Sequence, residues 1–110
     1  MSRCRKALLR PDTTLIDAVR VLDETALQIC LIVDEDGRMQ GSLTDGDIRR
    51  AMLSSKSLDT PVKNAMNSHP HTAGEHESRH ELIAKMTRLK IYQIPILDES
   101  SRVVGVETLE

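Results

Sequence analysis

The sequence predicts a mixed α/β fold assembled from two copies of one small unit. Three observations predict it. Residues 32–44 match residues 96–108 without a gap, at an offset of 64, with six identities where chance gives roughly one. An apolar stripe at helical spacing precedes each copy. A turn rich in acidic and small residues then divides each copy into two strand-like runs. The identities are Ile32/Ile96, Asp34/Asp98, Glu35/Glu99, Arg38/Arg102, Gly41/Gly105 and Thr44/Thr108. Upstream, the same offset pairs Val19 with Ile83, Leu22 with Met86 and Leu27 with Ile91.

Each element follows from local chemistry. Thr14-Leu15-Ile16-Asp17 has the spacing of a capping box, a hydroxyl and a carboxylate each satisfying a free backbone donor. Ile16, Val19 and Leu22, with Leu15 and Ala18 beside them, form the apolar face of the helix it starts. A strand is expected over 28–33, followed by the turn Asp34-Glu35-Asp36-Gly37, where Gly37 takes positive φ without steric cost. A second strand from Arg38 to about Leu43 closes a hairpin. A helix then starts near Asp45, with Ile48, Ala51 and Met52 on one face. Residues 54–74 read as a connector punctuated by Pro61, Asn67, Ser68, Pro70 and Gly74. Inside it, Val62 to Met66 reads as one helical turn with Thr60 as cap and Pro61 in the first helical position.

Copy two repeats the pattern. Ser78-Arg79-His80-Glu81 is its capping box, and Leu82, Ile83, Met86 and Leu89 are its stripe. Strands are expected over 92–97 and 102–106, joined by Asp98-Glu99-Ser100-Ser101. The element order reads helix, strand, strand, helix, connector, helix, strand, strand. Residues 1–58 thus form the first repeat with an N-terminal segment, and residues 59–110 the connector and a second repeat that stops where its closing helix should start. Without that helix the second sheet exposes apolar surface, unless a longer chain or a partner covers it. Leu109-Glu110 reads either as native sequence or as a cloning remnant.

Composition excludes several function classes. The chain has 110 residues, a formal charge of -2, 15 basic against 17 acidic side chains, and Tyr92 as its one aromatic residue. Nucleic-acid modules need aromatic platforms or a strongly basic face, so no nucleic-acid partner is expected. No run is long enough to span a membrane, and no signal core follows the basic start Met1-Ser2-Arg3-Cys4-Arg5-Lys6, which reads as a solvated tail. Cys4 and Cys30 make no disulfide framework and no metal spacing. Cys30, inside the run 29–33, reads as a small buried apolar side chain. A reducing, cytoplasmic location is expected.

The run Gly41-Ser42-Leu43-Thr44-Asp45-Gly46-Asp47-Ile48-Arg49-Arg50 carries the candidate chemistry. Thr44 leaves a strand end, and Asp47 lies in the first turn of the next helix. A hydroxyl and free backbone donors there suit a phosphate. A carboxylate there can accept from vicinal ribose hydroxyls. Gly41 and Gly46 allow a ligand close to the backbone. The bland alternative is that Thr44 or Asp45 only caps the helix while Asp47 complements its dipole. Arg49 and Arg50 either reach a phosphate or face solvent.

The strand-turn-strand Val33-Asp34-Glu35-Asp36-Gly37-Arg38-Met39-Gln40-Gly41, the Gly-x-x-Thr-x-x-Asp run from Gly41 to Asp47, and Ile94-Pro95-Ile96-Leu97-Asp98 together resemble a pair of CBS domains, the module named after cystathionine β-synthase. The resemblance runs from about Leu9 to Glu110. The stretches 44–51 and 61–67 are further similar to the CBS pair preceding bacterial sugar-phosphate nucleotidyltransferases.

The resemblance implies two β-α-β-β-α repeats packed about a pseudo-twofold axis, the last helix of the second missing. It implies a regulatory adenine-nucleotide-binding module rather than an enzyme, probed by AMP, ADP, ATP or S-adenosylmethionine and requiring no cofactor. It also implies a homodimer and a C-terminal nucleotidyltransferase partner. On this reading Asp47 holds the ribose and Thr44 a phosphate, while Thr13, Thr14, Cys30 and Leu31 line the adenine. In copy two the matching positions are Thr108 and the pair Ile94-Pro95. The second ribose carboxylate would fall one residue past Glu110, and Glu107 stands where copy one has Leu43, so the first site is the stronger.

Three rival readings remain. His69, His71, His76 and His80 cluster in sequence, and His76 and His80 share the spacing of helical metal ligands, but no cysteine joins them and solvated polar residues are the simpler reading. Catalysis lacks a nucleophile elbow, a phosphate loop or a metalloprotease helix, and turns and caps explain Asp34, Glu35, Asp36 and Asp45. The third rival is a module that dimerises an attached enzyme and binds nothing small.

Overall fold

The computed structural model of the protein describes residues 2–109; Met1 and Glu110 lie outside the described residues. The elements are α1 (Ser2–Lys6), β1 (Leu8–Leu9), α2 (Leu15–Thr25), β2 (Cys30–Val33), β3 (Met39–Leu43), α3 (Asp45–Leu53), a 3-10 turn (Val62–Asn64), β4 (Ala73–Gly74), α4 (Arg79–Leu89), β5 (Gln93–Leu97) and β6 (Val103–Thr108). They form two three-stranded sheets, ordered β1-β2-β3 and β4-β5-β6.

The repeat seen in the sequence holds down to single hydrogen bonds. In each sheet the short first strand runs parallel to the second, and the second pairs antiparallel with the third. Cys30 faces Leu43 as Ile94 faces Glu107, and the register slips between Ile32 and Val33 as it does between Ile96 and Leu97. The helices α2 and α4 start at caps Thr14 and Ser78, and both end on a left-handed residue, Ala26 (φ 57°) and Lys90 (φ 58°). In the hairpin turns, Asp34 Oδ1 accepts from the backbone of Asp36 and Arg38, and Asp98 Oδ1 accepts from Ser100 and Arg102. Those bonds hold the Asp34 carboxyl below its usual range, the Arg38 N–H contributing most. Gly37 (φ 82°) and Ser101 (φ 67°) occupy the same left-handed turn position.

The second strand of repeat one is buried on both faces, which accounts for its unbroken apolar run. Cys30 and Ile32 face a core with Leu15, Ala18, Leu22, Leu43, Ala51 and Val62. Leu31, with Leu27, Ile29 and Ala7, faces the other way and packs on Val103 and Val106 of repeat two. That alternation follows from the period of a strand. In repeat two, Ala73, Leu82, Met86 and Ile94 form a smaller core.

The two sheets meet about a local twofold. Arg38 bridges Arg102, its own counterpart at the offset of 64. Met39 N–H donates to the Ser101 carbonyl (2.9 Å) and Val103 N–H to the Gly37 carbonyl (3.1 Å). Arg38 Nε donates to the Ser100 carbonyl (3.2 Å) and Arg102 Nε to the Asp36 carbonyl (3.1 Å).

Some expectations are corrected. The basic start is not a solvated tail over Ser2–Lys6: it is α1, which turns Cys4 and the following Ala7 inward and leaves Arg5 and Lys6 exposed. The two-residue strands β1 and β4, absent from the element-by-element reading, are present as the β-α-β-β-α resemblance implies. The strand expected from Gln28 begins at Cys30, because Ala26 and Gln28 (φ 66°) are both left-handed. The connector turn is shorter than expected. Pro61 is its cap with extended ψ of 141° and no side-chain cap bond is made, so Thr60 and Pro61 each sit one place further out. A bridge between Thr14 and Pro61 and a bond from Val62 N–H to the Thr13 carbonyl (2.7 Å) pin Pro61 there. Finally, Thr14 accepts from Asp17 N–H, but the Asp17 carboxylate pairs with Arg20 at 2.7 Å rather than completing the box.

Candidate functional site

The run from Gly41 to Arg50 leaves the end of β3 and enters α3. Thr44 caps that helix from extended backbone (φ −119°, ψ 173°), and Asp47 completes a capping box. Asp47 Oδ2 accepts from Thr44 N–H (2.9 Å) and from the Thr44 hydroxyl (3.1 Å), while Thr44 Oγ1 accepts from Asp47 N–H (3.4 Å). Asp47 Oδ1 accepts from Arg50 Nη2 at 2.8 Å. The Asp47 side chain is 11% exposed and that of Arg50 64%. The capping and dipole roles are therefore fulfilled. The same groups face an opening between the repeats.

That opening is a cleft of about 180 Å³. Repeat one supplies Ile29, Ser42, Thr44, Asp47 and Arg50. Repeat two supplies Ile91, Gln93 and Pro95, and the connector supplies Asn67, Pro70 and His71. The lining thus combines isoleucines and prolines with hydroxyls, amides, a carboxylate and a guanidinium. A concave site with an apolar bed and a few convergent polar groups is the usual form of a small-molecule site.

Of the sequence-predicted residues, the cleft brings together Thr44, Asp47 and Pro95. The rest lie elsewhere. Cys30 and Leu31 are fully buried; the Cys30 thiol donates to the Ala18 carbonyl at 3.8 Å and Leu31 packs between the sheets, so neither lines the cleft. Burial, and secondarily the Asp45 carboxylate, pushes the Cys30 thiol up to about 12. The Thr13 backbone carbonyl accepts from Val62 N–H and the Thr14 side chain caps α2, and neither residue lines the cleft. Ile94 is fully buried in the repeat-two core. Gly41 packs closely on the connector: a Cβ there would lie 2.6 Å from Met66 Sδ and 2.7 Å from the Asn67 carbonyl oxygen.

Thr108 lines a second cleft of about 250 Å³ with Ala26, Leu27, Gln28, Tyr92, Gln93 and Leu109. The two clefts are related by the repeat, since Thr44, Ile29 and Ile91 correspond to Thr108, Gln93 and Leu27. The repeats themselves differ at one matched pair of positions. Where repeat one packs Leu15 and Leu43 in its core, repeat two pairs Arg79 with Glu107.

Sequence reasoning missed Ile29, Ser42, Ile91, Gln93 and the three connector residues, and left Arg50 open between phosphate and solvent. Ser42 and Asn67 exchange two backbone hydrogen bonds (3.0 and 2.8 Å), which swings Asn67, Pro70 and His71 onto the cleft. No local pattern encodes that contact. Ile29 and Gln93 are counterparts at the offset of 64, so finding either one would have pointed to the other. Among the histidines, His69 and His71 lie in the connector and His80 in the first turn of α4, and among the described residues no group of three or more His, Cys, Asp or Glu could hold a metal.

Comparison with known proteins agrees with this architecture. Arabinose 5-phosphate isomerase GutQ of Salmonella typhi is 30% identical over 98 residues, which cover 89% of this chain and 30% of that protein. The chain therefore spans under a third of that relative's length. The CBS domain pair of protein MJ0100, in complex with 5′-methylthioadenosine and S-adenosyl-L-methionine, superposes with a TM-score of 0.79 at 28% identity, covering 92% of this chain and 82% of that one. The cytosolic domain of the Mg2+ channel MgtE in complex with ATP gives a TM-score of 0.74 at 25% identity, covering 92% of this chain and 41% of that one. The model of the CBS domain matches twice, at residues 5–54 and 62–106. With two matched repeats in register and a cleft between them, the chain belongs to the CBS domain family, as a tandem pair.

Proposed function

We propose that this chain is a regulatory module that binds an adenine nucleotide in the cleft between its repeats. One observation carries the reading: a single cleft gathers Thr44 and Asp47 with the apolar Ile91 and Pro95. Asp47 then takes the ribose hydroxyls, the N-terminus of α3, capped by Thr44, takes a phosphate, and the apolar lining takes the base. The ligands named for the CBS structures above, ATP and S-adenosylmethionine, support adenine compounds as the class. The first cleft is the principal site. Residues 1–58 and 59–110 act as the two halves of one pair, and ligand across them biases their relative packing to the extent that it prefers one arrangement.

The module serves an enzyme that handles sugar phosphates. The sequence similarity points to a nucleotidyltransferase, whereas the curated relative is an isomerase. Sugar-phosphate chemistry is common to both. Self-association as a homodimer in the cytoplasm completes the proposal. The exposed Met52, Leu53 and Leu58 support self-association, and the two free, buried cysteines and the lack, among the described residues, of a helix able to cross a membrane support the location.

Calorimetric titration of the folded protein with adenosine, AMP, ADP, ATP and S-adenosylmethionine tests the reading. Heat is expected with at least one. Heat with none would leave a module that only associates with itself or its enzyme. Asp47→Ala is expected to abolish binding and to lower stability by about 1 kcal/mol through the lost capping box.

A further inference from the structure

Asp47 is nearly saturated before any ligand arrives. A carboxylate offers about four acceptor sites, and in this structure three donors occupy it: the Thr44 amide, the Thr44 hydroxyl and Arg50 Nη2. The Thr44 amide bond is part of the helix cap, and the Thr44 hydroxyl bond is held beside it by the hydroxyl's own acceptance from Asp47 N–H. The Arg50 bond is not: its side chain is 64% exposed, on the solvent side of an otherwise sheltered carboxylate. Two ribose hydroxyls need two acceptor positions, so Arg50 is the donor that must move. Arg50 also lines the cleft. It borders a neighbouring hollow of about 160 Å³ that holds Lys56 and Asn64 as well. A displaced guanidinium therefore keeps a polar place within reach of the cleft.

Resting on the nucleotide reading above, we propose that Arg50 is a specificity-determining residue that exchanges partners on binding, leaving Asp47 Oδ1 to the ribose and turning to the ligand's phosphate. An exchange makes the phosphate compulsory in energetic terms. A nucleoside breaks the Arg50–Asp47 pair and returns nothing to the guanidinium. A nucleoside phosphate replaces one charge-assisted bond with another, in which a phosphate and a guanidinium match bidentately. The exchange separates Arg50 from a residue that merely stiffens the helix, because its removal must act with opposite sign on the two ligands.

The experiment is a paired titration of adenosine and AMP against the wild type, Arg50→Met and Arg50→Lys, with thermal melting to check folding. The wild type should prefer AMP. Arg50→Met frees Oδ1, so adenosine should bind about two- to fivefold more tightly, the range of an exposed ion pair. AMP should bind about tenfold more weakly, as expected for one lost charged hydrogen bond. Arg50→Lys should fall between. If neither ligand binds the wild type, the nucleotide reading fails and the exchange with it. If both bind the wild type but Arg50→Met weakens both, or changes neither, the nucleotide reading stands and the exchange is overturned. Should Arg50→Met melt early, Arg50→Lys decides by the same criterion: opposite shifts for the two ligands support the exchange, and shifts of one sign or none overturn it.

Discussion

Gly41→Ala tests whether the connector is clamped onto repeat one, and so whether the cleft is built as described. The new methyl would sit 2.6 Å from Met66 Sδ and 2.7 Å from the Asn67 carbonyl oxygen. The thioether can swing away, but the carbonyl cannot. It is fixed by the paired backbone bonds between Ser42 and Asn67, at 3.0 and 2.8 Å. Relieving the clash means separating that pair, at about 1 kcal/mol for each bond. Residual overpacking adds about 1 kcal/mol. Restricting the unfolded chain returns about 0.5 kcal/mol. The net loss is about 2–3 kcal/mol, or about 8–12 °C in Tm for a domain of this size. The assay is far-ultraviolet circular dichroism against temperature and urea. Gly37→Ala is the control: nothing lies within 4 Å of its Cβ, and only its φ of +82° opposes the change. It should cost about 1 kcal/mol. A Gly41→Ala protein that melts within about 2 °C of the wild type, or that melts above Gly37→Ala, would refute the clamp.

Three further outcomes are expected. Leu43→Glu should lose about 4 kcal/mol or more by placing a charge among fully buried apolar groups, whereas Glu107→Leu at the matching position should change stability by under about 1 kcal/mol; urea midpoints compare them. The Cys30 thiol, raised in the folded state, contributes stability that is complete below about 9 and is lost as pH rises toward about 12; Cys30→Val should flatten that alkaline loss, and native Cys30 should resist maleimide until the chain unfolds. The Asp34 carboxyl is lowered in the folded state, so its contribution is present above the usual aspartate range and disappears as pH falls through the lowered value. Melting temperatures measured across acidic pH should fall less steeply for Asp34→Ala than for the wild type.

What was legible in the sequence was whatever the chain encodes twice or encodes locally. The capping box at Ser78, the Asp34 and Asp98 turns and the apolar stripes each rest on residues within a few positions of one another, and the turns and stripes reappear at the offset of 64. Thr44 and Asp47 were legible for the same reason: the spacing that closes a helix cap is also the spacing that faces the cleft. By contrast, α1 is helical because Cys4 and Ala7 find cover from distant elements, and nothing within Ser2–Lys6 states that. The strands β1 and β4 are too short to show alternation. The connector's approach to the cleft depends on one long-range pair, Ser42 with Asn67. Cys30 and Leu31 lie on the right strand, but that strand is covered on both faces, so proximity in the chain did not translate into access.

The meeting of Arg38 with Arg102 has a consequence for assembly. A residue that contacts its own equivalent is the signature of an isologous contact, the kind that joins identical subunits. Here both partners ride on one chain, and the connector holds them at an effective concentration on the order of millimolar. The interface between repeats can therefore remain weak on its own terms, held by a few backbone bonds and modest apolar contact, and still be nearly always closed. Weakness of that kind is useful in a sensor. Cutting the connector should turn a unimolecular equilibrium into a concentration-dependent one, and a ligand spanning the cut halves would then report its binding energy directly as their cohesion.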